Sequence, residues 1–564
     1  MSLSALVLAG FGPGGAAGSR ILDATLTPTP LVGDASSSTA IEIVFALLIA
    51  ATILAIAARR LGIPYPIVLV LGGLAIGFVP GLPAIELAPN VVFLLFLPPI
   101  LFAAGYFTSI RDLRANIRPI ALLAVGLVLF TTAVVAAVAH TLVPGMGWAA
   151  AFALGAIVAP PDAAAATSVF ERLGVPRRIV TILEGESLLN DATALVAYRF
   201  AVVAAGAAAG SFSVVDVGST FLIASVGGVI LGLAMGILTA LFVRRIDDPV
   251  FSVVVTFLAP LIAYLPAERL GLSGVLATVV AGIYVGRKSP RLLSSAVRLS
   301  AVAAWQVLLF LINGAVFILI GVQLPRVLAS LGGESPAELL GLALATSAAV
   351  IVARMVWVIP TAYLPHRLRR AARRDEDDPD PKLRNLVLVG WAGMRGVVSL
   401  AAALALPADF PQRDLVIFLA FAVILATLVG QGLTLPVLIN RLEIDDGGGD
   451  GNEEAYARIA AADAAVARLD QLGEEWPDHR ELIDTLRAQY GHRSHHAELR
   501  RATDDADDDT NAEQELLEHR QIRVAVLNAE RGALLTLRER GAISDEVHRR
   551  VERDLDLEEL RMEV

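Results

Sequence analysis

Two short stretches set acids, amides and a hydroxyl into sequence that is otherwise apolar over membrane lengths: APPDAAAATSV (Ala159–Val169) and EGESLLNDATALV (Glu184–Val196). A carboxylate at bilayer depth costs a few kcal/mol and is rarely kept without a task. Asp162, Glu186 and Asp191 fall in two successive hydrophobic segments, with Asn190 beside Asp191. On a helix, Ser187 and Asp191 are four residues apart, as are Glu186 and Asn190, so the four make a polar stripe. Burial disfavours a bare carboxylate charge, which lets a proton and a small cation compete for one site. Oxygen ligands from Asp, Ser and Asn, joined by carbonyls freed at a helix break, suit a hard monovalent ion. The pattern reads as an ion or proton pathway rather than as carboxylates that only pair across helices. No ATP-binding loop appears, so movement would follow gradients, and nothing points to an enzyme or a cofactor.

These residues need a membrane scaffold, and composition supplies it. The chain has 564 residues, of which 56% are hydrophobic and 18% charged, with mean hydropathy +0.67. That excludes an ordinary soluble globular protein. Thirteen apolar segments of roughly spanning length follow one another. They cover about 39–58, 65–81, 90–106, 117–141, 146–168, 179–207, 217–243, 250–265, 271–286, 297–324, 336–364, 385–406 and 412–440, with spans 2, 8 and 9 short. There is no cysteine, hence no disulfide framework. Residues 1–38 lack a basic start before the apolar Leu3–Ala9 stretch and read as an extracytoplasmic N-terminal segment, not a cleaved signal.

Basic residues orient the spans. Odd-numbered spans 1 to 11 are followed by 21 Lys and Arg, among them Arg59, Arg60, Arg111, Arg114 and Arg287, whereas the opposite side offers only Arg20, Arg269, Arg326 and Arg413. By the positive-inside rule the N-terminus is outside and the C-terminus cytoplasmic. Asp191 then lies about twelve residues into span 6, roughly 18 Å along the helix and near mid-bilayer.

Two spans are broken by composition. Pro160 and Pro161 stand directly before Asp162 in span 5 and remove two backbone donors. GWAGMRG (Gly390–Gly396) puts three glycines around Arg395 in span 12. The breaks are seven spans apart, as expected for two six-helix repeats of inverted topology separated by span 7, the arrangement that places a transport site at the midplane. Arg354 in span 11 and Arg395 need buried carboxylate partners, with Glu186 or Glu184 as candidates. Arg199 lies two turns beyond Asp191, where it can snorkel to the outer face, and His140 reads as interfacial.

The segments FLPPILFAAGY (Phe96–Tyr106), APPDAAAATSVFERLGVPRR, EGESLLNDATALV and GWAGMRGVVSLAAAL together resemble the electroneutral sodium/proton exchanger branch of the cation–proton antiporter superfamily, in a bacterial form, over about Ile41–Arg441. The resemblance implies an all-α polytopic protein of thirteen transmembrane helices in a homodimer, each protomer with a static dimer domain and a moving core in which spans 5 and 12 cross at their breaks. It implies that Asp162, Ser187 and Asp191 bind the transported Na+ and that Asn190 supports the site. It further implies that Glu186 forms a fixed ion pair with Arg354, and that Pro160, Pro161 and Arg395 support the crossing. Ala103 departs from the pattern, since many relatives carry a carboxylate there.

Leu442–Val564 is different material. It holds 32 Asp and Glu against 16 Lys and Arg, a net −16; since the whole chain is −10, residues 1–441 carry +6. DDGGGDGNEE (Asp445–Glu454) reads as a linker. Helices are expected at about 453–472, 478–490, 512–540 and 544–561, the last capped by Ser544, with Leu516, Ile522, Val526, Leu534 and Leu537 as an apolar stripe. TDDADDDT (Thr503–Thr510) reads as a solvated loop, and HRSHH (His492–His496) as a group that titrates near neutrality rather than a metal site. The expected activity is exchange of Na+ for H+ across the cell membrane in sodium and pH homeostasis, with the lipid bilayer and a second copy as partners and no nucleic acid. Potassium/proton exchange, a gated cation channel and a membrane sensor are the alternatives; no selectivity-filter sequence supports the channel.

Overall fold

A computed structural model describes residues 35–79, 92–206, 214–246, 248–331, 335–373, 382–444, 449–505 and 510–563. All the regular secondary structure of the described residues is helical, without a strand. The expected N-terminal segment falls largely outside them; helix α1 (Ala35–Leu61) begins a few residues before the first expected span. α2 (Tyr65–Gly77) is followed by a π turn at Val92–Phe96 leading into α3 (Leu97–Phe107). Next come the short α4 (Ile110–Ala115), α5 (Ile117–Leu142), α6 (Trp148–Val158), α7 (Ala163–Leu173), α8 (Arg177–Gly206) and α9 (Val214–Val243). α10 (Pro249–Arg269), α11 (Gly274–Leu292), α12 (Ser295–Ser330), α13 (Pro336–Arg373), α14 (Leu383–Trp391), α15 (Val397–Leu404) and α16 (Arg413–Arg441) follow.

Helix starts carry side-chain oxygens that take up the orphan amides of the first turn. Asp248 accepts from Val250 and Phe251 at 2.8 and 3.2 Å, and Ser273 and Ser294 cap α11 and α12 in the same way. Glycines let backbones touch where helices cross, which in lipid replaces the missing hydrophobic drive. A Cβ at Gly232 of α9 would strike the Ala277 backbone of α11, and one at Gly282 of α11 would strike the Phe102 carbonyl of α3.

Eight helical segments among the described residues are long and apolar enough to cross a membrane, and Tyr65–Gly77 and Leu94–Phe107 are shorter apolar helices. Trp148–Phe170, holding the first break, is the most enclosed of the eight (72% of its apolar window buried), followed by Arg413–Arg441 at 67%; Gly218–Val243 is the least, at 18%. The break in span 5 therefore sits at the centre of the bundle and α9 at its periphery, with Leu222, Ile223, Val226 and Ile230 exposed.

The tail differs in detail from its sequence pattern. Its helices are α17 (Gly449–Glu475), α18 (Arg480–Asp505), α19 (Thr510–Glu539) and α20 (Asp545–Glu563). The expected linker is already helical from Gly449, where Glu454 pairs with Arg458 one turn on at 2.5 Å. α18 continues fifteen residues past its expected end, so His492–His496 lie on a helix, and the expected acidic loop is helical through Asp505, with residues 506–509 outside the described ones. α17 packs along α18, clamped by Arg487 to Asp470 at 2.6 Å. Ser544 caps α20 through the Val547 amide at 3.2 Å. Of the expected apolar stripe, Ile522, Val526 and Leu537 are exposed, and the side chain of Leu516 lies outside the described residues.

Candidate functional site

The two breaks meet. α6 ends at Val158, and Pro160 and Pro161 carry the chain without helical hydrogen bonds to Asp162, which starts α7 as its N-cap: its Oδ1 accepts from Ala164 N–H at 2.9 Å. In the other span α14 ends at Trp391, and α15 begins only at Val397. The Asp162 amide donates to the Met394 carbonyl at 2.7 Å, a direct tie between the breaks. The Val397 amide reaches the Asp162 carboxylate from the start of α15. Asp162 thus stands at the positive ends of two half-helices. Gly396 abuts this carboxylate so closely that any Cβ there would collide with it.

Arg395 answers the opposite ends. Its Nε donates to the Val158 carbonyl at 2.9 Å and Nη2 to the Ala159 carbonyl at 3.3 Å, while Nη1 donates to the Gly393 carbonyl. Its own amide donates to Thr427 Oγ1 of α16 at 3.1 Å. The expectation of a carboxylate partner for Arg395 is therefore corrected. The last carbonyls of α6 have no helical donor once the helix breaks, and a guanidinium with five N–H groups satisfies several at once.

α8 packs against α6, α7 and α15 and brings its polar stripe to this crossing. Glu186 and Arg354 are both fully buried and joined by two hydrogen bonds, Nη1 to Oε1 at 2.5 Å and Nη2 to Oε2 at 2.8 Å. Arg354 Nε also donates to the Val389 carbonyl at 3.2 Å. Glu184, the other candidate, is exposed. Gly393 lies between the two arginines, where a Cβ would press on both side chains.

The remaining stripe residues face the break of span 5. Ser187 Oγ accepts from Ala163 N–H at 3.4 Å, and Asn190 Nδ2 donates to the Pro161 carbonyl at 2.9 Å. Asn190 Oδ1 is buried with no hydrogen-bond partner among the described residues. Asp191 is 7% exposed, and neither of its oxygens is held by a hydrogen bond or ion pair there, although Asp162 is near enough to act on it by charge. The structure thus brings Asp162, Ser187, Asn190 and Asp191 together, with the Glu186–Arg354 pair alongside. No cluster of three or more His, Asp or Glu side chains arranged to hold a resident metal occurs among the described residues. A cation here would draw on a mixed set of carboxylate, hydroxyl, amide and carbonyl oxygens.

The residues matched by the sodium/hydrogen exchanger transmembrane family model, 44–441, enclose all of these groups. The chain belongs to the sodium/hydrogen exchanger family. It is 35% identical over 528 residues to an uncharacterized Na+/H+ exchanger of Mycobacterium tuberculosis, covering 92% of this chain and 96% of that one. It is 36% identical over 393 residues, 67% of this chain and 58% of the other, to a sodium, potassium, lithium and rubidium/H+ antiporter of Bacillus subtilis. Its fold matches the sodium proton antiporter MjNhaP1 of Methanocaldococcus jannaschii with a TM-score of 0.56 at 19% identity, over 72% of this chain and 99% of that one. As a member of a transporter family it is not an enzyme, and its substrates are ions.

Other sites in the chain are now placed. Ala103 is buried among Phe102, Tyr106, Ala259, Ala263 and Trp305, an apolar cluster in which a carboxylate would have no counter-charge. Arg199, expected to snorkel, pairs with Glu268 at 3.4 Å. His140 Nδ1 lies 2.6 Å from the Met146 carbonyl, and its ring stacks on Trp148. Sequence reasoning missed Thr427, one of two hydroxyls in an otherwise apolar span and so a usable signal, and the Met394 carbonyl, which left none.

Proposed function

We propose that this chain is a secondary transporter that exchanges Na+ for H+ by electroneutral alternating access, serving sodium and pH homeostasis. In this reading Asp162, Ser187 and Asp191 hold the cation, Asn190 supports them, and Asp191 carries either the cation or the proton across. The observation that carries it is Asp191: a buried carboxylate with no counter-ion among the described residues, beside a helix break, in a chain of the exchanger family. Glu186 is neutralised by Arg354 in every state, so it takes no part in the charge count. The reading requires that Asp162, whose carboxylate meets two helix N-termini, keeps its charge or is compensated through the cycle. One proton then leaves for each monovalent cation bound.

Thirteen spans, with helical segments at each expected position, underlie the proposed topology: N-terminus outside, C-terminus cytoplasmic, in the cell's inner membrane. We assign residues 1–38 to an extracytoplasmic segment, 39–441 to the exchanger domain and 442–564 to a regulatory cytoplasmic tail. Two inverted six-helix repeats account for the matched breaks, and the exposed apolar face of α9 suits a homodimer contact. Potassium/proton exchange is the second reading, favoured by the similarity to an antiporter named for sodium, potassium, lithium and rubidium.

The decisive measurement uses proteoliposomes with a clamped diffusion potential. One charge moved through 100 mV is worth about 2.3 kcal/mol, so an electrogenic cycle would shift its equilibrium strongly with voltage. Cation-driven proton movement should appear with Na+, and its equilibrium should ignore the imposed potential. A voltage-dependent end point would overturn the one-for-one stoichiometry.

A further inference from the structure

A cavity of about 590 Å³ opens where the turn between α3 and α4 meets the last turns of α11, apart from the ion-binding residues. Its charged lining has one sign: Arg111, Arg114 and Arg287, with no carboxylate. None of the three guanidiniums makes a hydrogen bond or an ion pair among the described residues. The nearest acid in sequence, Asp112, faces Arg177 instead, at 4.0 Å. The other polar groups of the wall are already engaged. Tyr106 and Ser289 hydroxyls bond each other at 3.1 Å, Thr108 Oγ1 donates to the Ala104 carbonyl at 2.6 Å, and Ser109 Oγ accepts the Asp112 amide at 3.3 Å. What remains for a ligand is three guanidiniums without a partner among the described residues.

The floor is fixed by the close crossing of α3 on α11, where Gly286 touches the Tyr106 backbone. The wall carries apolar side chains at Phe107, 48% exposed, and at Ile110, half-buried at the start of α4. Guanidinium groups bind phosphate oxygens in pairs through a rigid fork. An apolar wall beside such a cluster fits a phosphate that is attached to acyl chains. We propose that this cavity binds a phosphate group, and that its source is the headgroup of an anionic phospholipid. By the orientation proposed above, that lipid belongs to the cytoplasmic leaflet.

The test uses the purified full-length protein in detergent, where binding is read without reference to which side faces the cytoplasm; a wrong orientation would therefore leave the result intact. Native mass spectrometry and lipid-titrated thermal melting would compare phosphatidylglycerol, phosphatidylcholine and inorganic phosphate. Each arginine near an anionic headgroup is worth about a fivefold preference, so R111Q/R114Q/R287Q should lose roughly tenfold or more after screening. The control R59Q/R60Q, which removes two basic residues at the end of α1, should retain the preference. If the triple variant does not purify, R287Q alone must still weaken phosphatidylglycerol binding about fivefold. Equal binding of phosphatidylglycerol and phosphatidylcholine, or full binding by a folded triple variant, sinks the site. A melting shift by inorganic phosphate as large as that by phosphatidylglycerol overturns the lipid assignment in favour of a soluble anion.

Discussion

Glu186 and Asp191 are carboxylates on one helix, five residues apart, and both are buried, yet their surroundings are opposite. Glu186 has both oxygens bound by a guanidinium that is itself fully enclosed. Asp191 has no such partner and faces a stretch of backbone that two prolines have taken out of the helix. A buried charge that is paired on every side is fixed, and adds to architecture. One left without a counter-charge can lower its energy only by taking up a proton or a cation. The difference lies in what the neighbouring helices present: α13 brings a cation to Glu186, whereas the broken span brings a second carboxylate, that of Asp162, near Asp191.

The largest effect that tests this contrast is on transport. Asp191→Asn should abolish cation-driven proton movement while leaving the melting temperature of the purified protein unchanged or raised, since a desolvated charge is removed. Exchange at the wild-type rate by this variant would show that the carrier lies elsewhere. The next effect is on stability. Glu186→Ala or Arg354→Ala alone strands a buried charge and should cost about 3–5 kcal/mol, seen as lower expression and a lower melting temperature. The double neutral variant should recover part of that loss; additive losses would mean that the two charges are not coupled. The smallest effect is at Ser187. Its hydroxyl contributes one hydrogen bond of about 1 kcal/mol, so Ser187→Ala should raise the apparent KM for Na+ severalfold with little change in maximal rate. A collapse of the rate instead would make Ser187 part of the moving hinge rather than a ligand.

Much of this arrangement was legible in the chain. The polar stripe Glu186–Asp191 follows from helical spacing, and the two breaks from proline and glycine chemistry, because each is a local property. The Arg395 contacts were not legible. The carbonyls of Val158 and Ala159 become acceptors only because another part of their own span is broken, and nothing in GWAGMRG says that they lie within reach. The same holds for the Met394 carbonyl, since a backbone group carries no sequence signal. In the tail, Gly and Asp runs were read as breakers, but α17 already starts at Gly449, where i,i+4 pairs such as Glu454–Arg458 support it, and α18 reaches Asp505. Ala103 was legible as a departure, while its burial against Phe102 and Trp305 became visible only in the packed structure.

Asn190 carries a further consequence. Its amide donates to the carbonyl of Pro161, which stands just before the first capped turn of α7 and so has no helical donor of its own. That carbonyl can only accept. Whatever occupies position 190 must present a hydrogen to it, which an amide always does and a carboxyl does only when protonated. In the proposed cycle, the same kink that would open the site to a cation therefore also constrains its neighbour: one residue away from Asp191, the backbone itself favours a side chain that stays neutral. If that cycle holds, its arithmetic of charges is in this sense written into the path of the main chain, at a proline, and not only into the acids proposed to face the ion.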